Sequence, residues 1–402
     1  MNDINVSPIL ELYKGKIYIK FINLFINDCI YEFGTHIFSI KKSLARTLTN
    51  LLSSWIFCLY INYDYSGDYS LPNNFNNVES LKFTLLDLCK YDINIQNIDY
   101  KIDNIINQLK KNYSKMLNLL DEYKKSILYL NTHTLYSITK KNISIKKNNS
   151  NIDFYKYHIK IPYFINNIKL KKILNNIIIP ITVYNKMLNN YSGNKNHIDI
   201  YLWILIFRYQ ILGSNNHQLS ILPNIIYFMN IDYNLSFECF ASSINHTCDN
   251  YCSIYYDIEQ YFGSQGNFFN IIPISGVYLF NPPFQKNVII TGINRILGFL
   301  ENIDKLTYII TVPIWDICGI NEMKLLYNNL INNIDYGEFE IINIIKQSKF
   351  LKYLQMIPKE KFTYIDHNFE LYKNKTIQNT YLIVLSNTNF NTDYIKKYNY
   401  EI

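Results

Sequence analysis

The residues with the clearest chemical potential are Asn281, Pro282, Pro283 and Phe284, a tight polar turn fed by the apolar run 276–280 and followed by Val288, Ile289 and Ile290. At the exit of a strand, these types in this order suit one uncommon task, holding the exocyclic amine of adenine beside a methyl donor. That amine is a poor nucleophile because its lone pair is delocalised into the purine ring. The Asn281 amide oxygen and the Pro282 backbone carbonyl can accept both of its N–H bonds and favour a tetrahedral nitrogen. The two prolines fix φ and restrict the residue before each, so the acceptors are aimed before a substrate arrives. Phe284 offers a flat face on which the base can stack. The same four residues also read as a proline-stiffened turn that closes a buried strand.

The elements around the turn must place it at a site. After Pro223, apolar runs at 236–240, 276–280, 306–312, 339–345 and 381–385 read as strands, with helical patterns at 294–300 and 321–333. This is the βα alternation of a mostly parallel sheet covered on both faces. Ligands of such sheets bind beyond the carboxyl ends of the strands, which puts the loop 241–245 and the turn 281–284 on one functional edge. No G-x-G-x-x-G follows the first strand, and this disfavours a pyrophosphate-bearing nicotinamide or flavin. S-adenosylmethionine carries no phosphate and suits a looser loop of small side chains with an amide: Phe240, Ala241, Ser242 and Asn245. A plain strand-to-loop transition has the same look. Further along, Gly263 and Gly266 permit positive φ or a close approach to ligand, and they flank Ser264 beside Tyr261, which can line an adenine pocket. Asp257, or Glu259, can accept from a ribose hydroxyl. Trp315 reads either as a wall of the transfer pocket or as core.

The first half reads as helical. The segment 38–59 has an amphipathic stripe with Ser39, Ser43 and Arg46 on its wetter side, and Ile102, Ile105, Ile106, Leu109, Tyr113, Met116, Leu117 and Leu120 recur by threes and fours. The stretch 140–151 carries four lysines and reads as a solvated basic loop, with contact to an RNA backbone as the other reading. Lys169, Lys171 and Lys172 sit in a helical pattern. The run 198–212 reads as a deeply buried helix ended by Gly213, and its single cation, Arg208, needs a carboxylate or a phosphate as partner. The expected division is a mostly helical domain over 1–225 and an S-adenosylmethionine-dependent domain over 226–402.

A formal charge of +7 favours a polyanionic partner without requiring one. Seven cysteines, at 29, 58, 89, 239, 248, 252 and 318, form no C-x-x-C pair. Their odd, scattered count suits a reducing compartment, and no metal site is expected. The first residues lack a basic segment running into an apolar one, so no signal peptide is expected. No apolar run approaches the ~18 residues of a membrane span, so no membrane partner is expected.

Taken together, FECFASSIN (237–245), YCSIYYD (251–257), YFGSQG (261–266), PISGVYLFNPPF (273–284), VPIW (312–315) and QNTYLIVL (378–385) resemble, in this order, the cap-specific adenosine N6-methyltransferases related to the phosphorylated-CTD-interacting factor with a WW domain. The resemblance runs from Ile198 to about Asn387. It implies a Rossmann-like α/β methyltransferase core behind a mostly helical domain. It also implies transfer from S-adenosylmethionine to N6 of the 2′-O-methyladenosine beside the 7-methylguanosine cap of mRNA. Asn281, Pro282, Pro283 and Phe284 become the amine clamp, and Phe240 to Asn245 with Tyr261 to Gly266 the donor loops. Arg208 would meet phosphates of the cap, and Trp315 and Lys286 are, apart from the resemblance, the further candidate substrate contacts.

Three departures qualify that reading. Trp55, Trp203 and Trp315 stand far apart, so no WW domain is expected, nor WW-mediated binding of the RNA polymerase II tail. The family's proline in the loop after the first strand is Ser243, expected to loosen it. The acidic residues that follow the family's asparagine turn are Gln285 and Lys286, which keeps open a catalytically inactive RNA-binding homologue. An N6-adenine methyltransferase acting on DNA or internal RNA is the other alternative. The resemblance implies a nuclear protein, whereas a chain serving a cytoplasmic viral transcription system would be cytoplasmic.

Overall fold

The computed structural model of the chain describes residues 7–34, 44–62, 78–89, 96–128, 136–147, 150–160, 168–212, 218–284, 286–313, 341–367, 373–375 and 379–397. The chain divides into two compact units, Met1–Asn215 and Asn216–Ile402. Residues 216–225, expected with the helical half, therefore belong to the second unit.

In the first unit, α1 (Pro8–Phe33) begins at Ser7, whose hydroxyl accepts from the Leu10 N–H, and Pro8 occupies a first turn that needs no donor. α1 buries residues on most of its circumference, among them Leu12, Tyr18, Phe21, Ile22 and Phe25, so no single stripe announces it in the sequence. α2 (Leu44–Asn62) covers part of the helix expected over 38–59, with Arg46 exposed; Ser39 and Ser43 lie outside the described residues. α3 (Val78–Cys89) precedes α4 (Ile98–Leu128), which buries Ile102, Ile105, Ile106, Leu109, Tyr113, Met116 and Leu120. α4 packs on α1 through Tyr13 stacked on Tyr123 at 4.3 Å and a bond from Asn112 Nδ2 to Asp28 Oδ2 at 3.1 Å.

The basic segment expected as a loop is instead a long hairpin. β1 (Ser137–Lys147) and β2 (Ser150–Lys160) pair antiparallel along their whole length, and β3 (Ile178–Pro180) adds to the far edge of β2. The signal was the alternation of Ile143 and Ile145 with polar neighbours, hidden by the asparagines around it. α5 (Ile168–Leu174), α6 (Ile181–Asn190) and α7 (Ile198–Leu212) complete the unit, and α7 is buried nearly all round.

The second unit runs β4 (Leu219–Ile221), α8 (Pro223–Tyr233), β5 (Leu235–Glu238), β6 (Asn250–Tyr251), α9 (Tyr256–Glu259), β7 (Gly276–Phe280), α10 (Lys286–Asn302), β8 (Leu306–Pro313), α11 (Ile341–Gln347), β9 (Leu351–Ile357), β10 (Tyr364–Asp366), β11 (Lys373–Lys375), β12 (Thr380–Ser386) and α12 (Asp393–Lys397). Six strands form one sheet in the order β6-β5-β7-β8-β12-β9, and β4, β10 and β11 form a small second sheet. The pairings among β6, β5, β7 and β8 are parallel, whereas β12 runs antiparallel to both its neighbours. The sheet is therefore mixed, parallel on one side and antiparallel on the other.

One expected strand is a helix. Over 341–347, Ile342 and Ile345 are buried three apart while Ile344 faces solvent, a helical spacing. The strand lies just beyond, in the more polar 351–357, as suits a strand at the sheet's edge. The helical pattern at 321–333 lies outside the described residues.

Alternating side chains of the sheet feed two cores. Tyr278, Phe280, Tyr308, Ile310 and Ile383 join Ile289, Ile293 and Ile296 of α10 with Ile342 and Ile345 of α11. Leu279, Ile309, Leu382 and Val384 join Ile225, Ile226 and Met229 of α8 with Ile395 of α12. Helices thus cover both faces, and a sheet so enclosed reads as apolar runs.

α10 approaches β7 closely at Gly292. A Cβ there would come within 2.3 Å of the tip of the Phe280 ring, so the bare Cα leaves room for that ring under the helix. Gly292→Ala is expected to destabilise the chain by about 1–3 kcal/mol through overpacking, read as a lowered urea midpoint; an unchanged midpoint would show that the ring can move aside freely.

Candidate active site

The order of the sheet contains a reversal. From β5 the chain moves outward to β6 and returns on the other side of β5 to form β7. The carboxyl ends of β5 and β7 flank the crevice where ligands of open α/β sheets bind. The loop 239–249 leaves β5 there, and the turn 281–284 leaves β7. Two backbone bonds tie the strand ends together, Cys239 N–H to Leu279 O and Ala241 N–H to Cys252 O, both at 2.8 Å.

Asn281 is oriented by its neighbour strand. The register sets Phe280 opposite Ile310, which carries Thr311 beside Asn281. The fully buried Thr311 hydroxyl donates to Asn281 Oδ1 at 3.0 Å. An amide oxygen accepts two hydrogen bonds, so Thr311 fixes the side chain and leaves one acceptor site. Pro282 is buried, while Asn281, Pro283 and Phe284 are half-buried. Phe284 meets Tyr364 edge-on at 5.5 Å. Below the turn, Phe280 meets Phe240 at 5.3 Å and Phe268 at 5.6 Å, and Phe240 meets Phe268 at 5.3 Å. These rings join both loops into one apolar wall.

The loop after β5 is held largely by its own side chains. Asn245 Oδ1 accepts from the Ser242 N–H at 2.6 Å and the Ser242 hydroxyl at 3.0 Å, and that hydroxyl also lies 2.9 Å from Gln218 Oε1. Ser242 and Asn245, expected to hold a donor, thus spend these atoms on the loop itself. Two buried carboxylates gather its amides. Glu238 Oε1 accepts from the N–H groups of Thr247 and Cys248 at 2.5 and 2.7 Å. Glu259 accepts from the Ser243 N–H at 2.8 Å, the Ser243 hydroxyl at 3.1 Å and the Tyr255 N–H at 3.0 Å.

Those contacts correct the expectation for Ser243. A proline there has no N–H to donate. Serine supplies two donors to Glu259, so the change tightens the loop instead of loosening it. Glu259, weighed as a ribose acceptor, is a fully buried organiser of the loop. The Tyr251 hydroxyl lies 2.9 Å from both Ser243 Oγ and Phe262 O, and burial first, then Glu259, raise its pKa, so it stays a protonated donor.

In the second expected loop, Ser264 forms a parallel bridge with Tyr251, and its hydroxyl lies 2.6 Å from that of Ser253. Gly263 has φ +97° with open space where a Cβ would stand. Asp257 and Tyr261 are half-buried. The charge of this region is one-sided. From Tyr209 to Gln285 the sequence contains no lysine or arginine, yet it carries Asp232, Glu238, Asp249, Asp257 and Glu259.

Other expected contacts fall elsewhere. Arg208 is buried in the first unit, where its Nε and a terminal nitrogen bond Glu11 at 3.1 and 2.8 Å, and Lys14 bonds the same carboxylate at 2.9 Å. That carboxylate engages the guanidinium, and the assignment of Arg208 to substrate is replaced by an interior ion pair. Trp315 and Gln285 lie outside the described residues; Lys286 begins α10. Thr311, Gln218 and Glu238 were not anticipated. The available signal for Thr311 was a hydroxyl inside a largely apolar strand, one that Thr307 of the same strand shares. For the others, only the fold reveals the partners.

Comparison with known proteins bears on this region. The family described as the phosphorylated CTD interacting factor 1 WW domain matches residues 181–367. Proteins called mRNA (2′-O-methyladenosine-N(6)-)-methyltransferase, from Mus musculus and Homo sapiens, are each 31% identical over 121 residues, 28% of this chain and 17% of theirs. The aligned part therefore spans under a fifth of either relative. Both findings support the family resemblance drawn from the motifs. The matching family carries the WW domain in its description, so the expected lack of that module, and the doubt about polymerase-tail binding drawn from it, are withdrawn.

Glu259→Ala should leave two backbone N–H groups and one hydroxyl without their acceptor inside the loop. A loss of roughly 3 kcal/mol or more is expected, measured by thermal or urea unfolding; near-native stability would mean that the loop folds without the carboxylate.

Proposed function

We propose that this chain transfers a methyl group from S-adenosylmethionine to N6 of the cap-adjacent 2′-O-methyladenosine of capped mRNA, using the second unit as a Rossmann-like methyltransferase core. The observation that carries the reading is Asn281, held by Thr311 at the carboxyl end of β7 with an acceptor site free, across the crevice from the loop after β5. The sequence similarity to mRNA adenosine N6-methyltransferases supports the same chemistry.

The residues present fit the donor. S-adenosylmethionine is a sulfonium cation without phosphates, and the loops that border the crevice, free of lysine and arginine from 239 to 284 and carrying Asp257, suit that charge. Phe240, Ala241, Asp257, Tyr261 and Gly263 would hold it, with Ser242, Asn245 and Ser264 shaping the loops that do so. Bound there, it supplies an electrophilic methyl group.

The chain's own task is to present the amine. Asn281 Oδ1 and the Pro282 carbonyl accept its two N–H bonds, drawing the nitrogen lone pair out of conjugation and toward the methyl group. Phe284 and Pro283 flank the base. The nitrogen becomes acidic only as it is methylated, so its proton passes to water afterwards and no prior base is needed. Catalysis then rests on position and on acceptors fixed in advance.

Matched RNAs ending in 7-methylguanosine, unmethylated guanosine or triphosphate, each beginning with 2′-O-methyladenosine, test the substrate by nucleoside mass spectrometry. Methylation of the first alone is expected, and equal activity on all three would reject cap specificity. Asn281→Ala should reduce single-turnover methylation by about 10²-fold or more with donor affinity by calorimetry nearly unchanged. Thr311→Val, which keeps the shape and removes the donor, should lower kcat by about tenfold with little change in KM; full activity would show that Asn281 needs no such support.

A further inference from the structure

The β1–β2 hairpin presents three lysines and a histidine together on one face. Its register sets Lys141 opposite Lys156, Thr139 opposite His158 and Ser137 opposite Lys160. Alternate residues of a strand share a face and step by about 7 Å, so Lys156, His158 and Lys160 form a row with Lys141 alongside. Lys141, His158 and Lys160 are exposed and Lys156 is half-buried. Like charges directly opposite one another destabilise a pair of strands, and none of these three lysines has an ion-pair partner among the described residues. On the other face, Lys140 is engaged by Asp199 at 3.0 Å and by Tyr184. Partial burial, then Lys156 and Lys141, hold His158 below the usual histidine pKa. The segment 137–160 carries six lysines and one carboxylate, and that carboxylate, Asp153, lies on the opposite face bonded to Ser144.

An uncompensated row of this kind calls for a polyanion. An extended strand of phosphates provides charges at repeated intervals along a line, and the hydroxyls of Ser137 and Thr139 add donors for phosphate oxygens. Around the candidate active site the segment 209–285 has no lysine or arginine, and Lys286 is the first cation after it, so a long nucleic-acid backbone needs further cations elsewhere. We propose that the Lys141, Lys156, His158 and Lys160 face of the hairpin binds the phosphate backbone of RNA, independently of base sequence. The choice of RNA rests on the function proposed above; the cation row stands without it.

The test compares the intact chain with Lys156→Glu, a change that turns the repulsive pair with Lys141 into an attractive one and so preserves the hairpin. Thermal melting checks that it does. Anisotropy titrations of a long capped RNA should show affinity lowered by about tenfold at low salt, with the slope of log affinity against log salt reduced by about one or more. Turnover of the cap with its first nucleotide alone should not change. Unaltered affinity and slope would overturn the assignment while leaving the proposed methylation untouched. Conversely, RNA binding that weakens as expected in a protein with no methylation activity would overturn the proposed reaction and uphold this surface. A polyglutamate peptide that binds the same face as tightly as RNA would also overturn the assignment, because it would mark an acidic protein partner.

Discussion

The Phe280 ring lies against the bare Cα of Gly292, and the geometry of the candidate site hangs on that contact. It lets α10 pack onto β7 at the point where the strand ends, and so sets where the next residue, Asn281, emerges. The same ring is boxed by Phe240, in the loop after β5, and by the buried Phe268. A displacement of Phe280 would therefore reach both sides of the site through direct contact. Pairing of β7 with β8 supplies the second restraint, because the register that puts Phe280 beside Ile310 also delivers Thr311 to Asn281. The side chain proposed to meet the amine is thus aimed by backbone pairing, the least adjustable feature of the sheet.

The loop after β5 achieves a comparable rigidity by different means. It has little regular structure, so its amides need acceptors that secondary structure does not provide. Glu238 and Glu259 provide them from inside, and the Ser242, Asn245 and Gln218 cluster closes the rest. Ser243 and Glu259 work as a pair: a serine N–H is worth having here because the carboxylate waits for it. The loop is thus ordered by two hydrogen bonds from Ser243, where a proline would order it by a fixed φ.

Some of this was readable in the sequence, and the divide follows physical causes. The strand runs at 276–280, 306–312 and 381–385 were legible because both faces of those strands are buried, which leaves unbroken apolar stretches. The long stripe of α4 was legible because only one side is buried. α1 escaped notice for the opposite reason, since burial on most sides erases periodicity. The stretch 140–151 reads as a loop because asparagine and lysine dominate it, although Ile143 and Ile145 keep the period of two that the hairpin uses. At 341–347 a short isoleucine-rich run fits either period, and packing under the sheet decided for the helix. Asn281 to Phe284 could be recognised from residue type alone. The bonds of Thr311, Gln218 and Glu238 could not, because their partners are distant in sequence or are backbone atoms that sequence does not distinguish.

Charge is divided along the chain in a way that composition conceals. The net value of +7 combines a segment from 209 to 285 with five carboxylates and no lysine or arginine, and a hairpin with six lysines and one carboxylate. A single basic surface around a crevice would attract RNA but oppose a cationic methyl donor in the same place. In the proposed reaction the two requirements fall on different stretches of the chain: the segment 209–285, without lysine or arginine, would suit the sulfonium, and the hairpin's lysines would meet phosphates. The adenine amine is neutral and needs neither field, only acceptors. Polar but uncharged Asn281 and the carbonyl of Pro282 fit that requirement, since a carboxylate in their place would hold the cationic donor more tightly before reaction than during it, as the positive charge leaves sulfur.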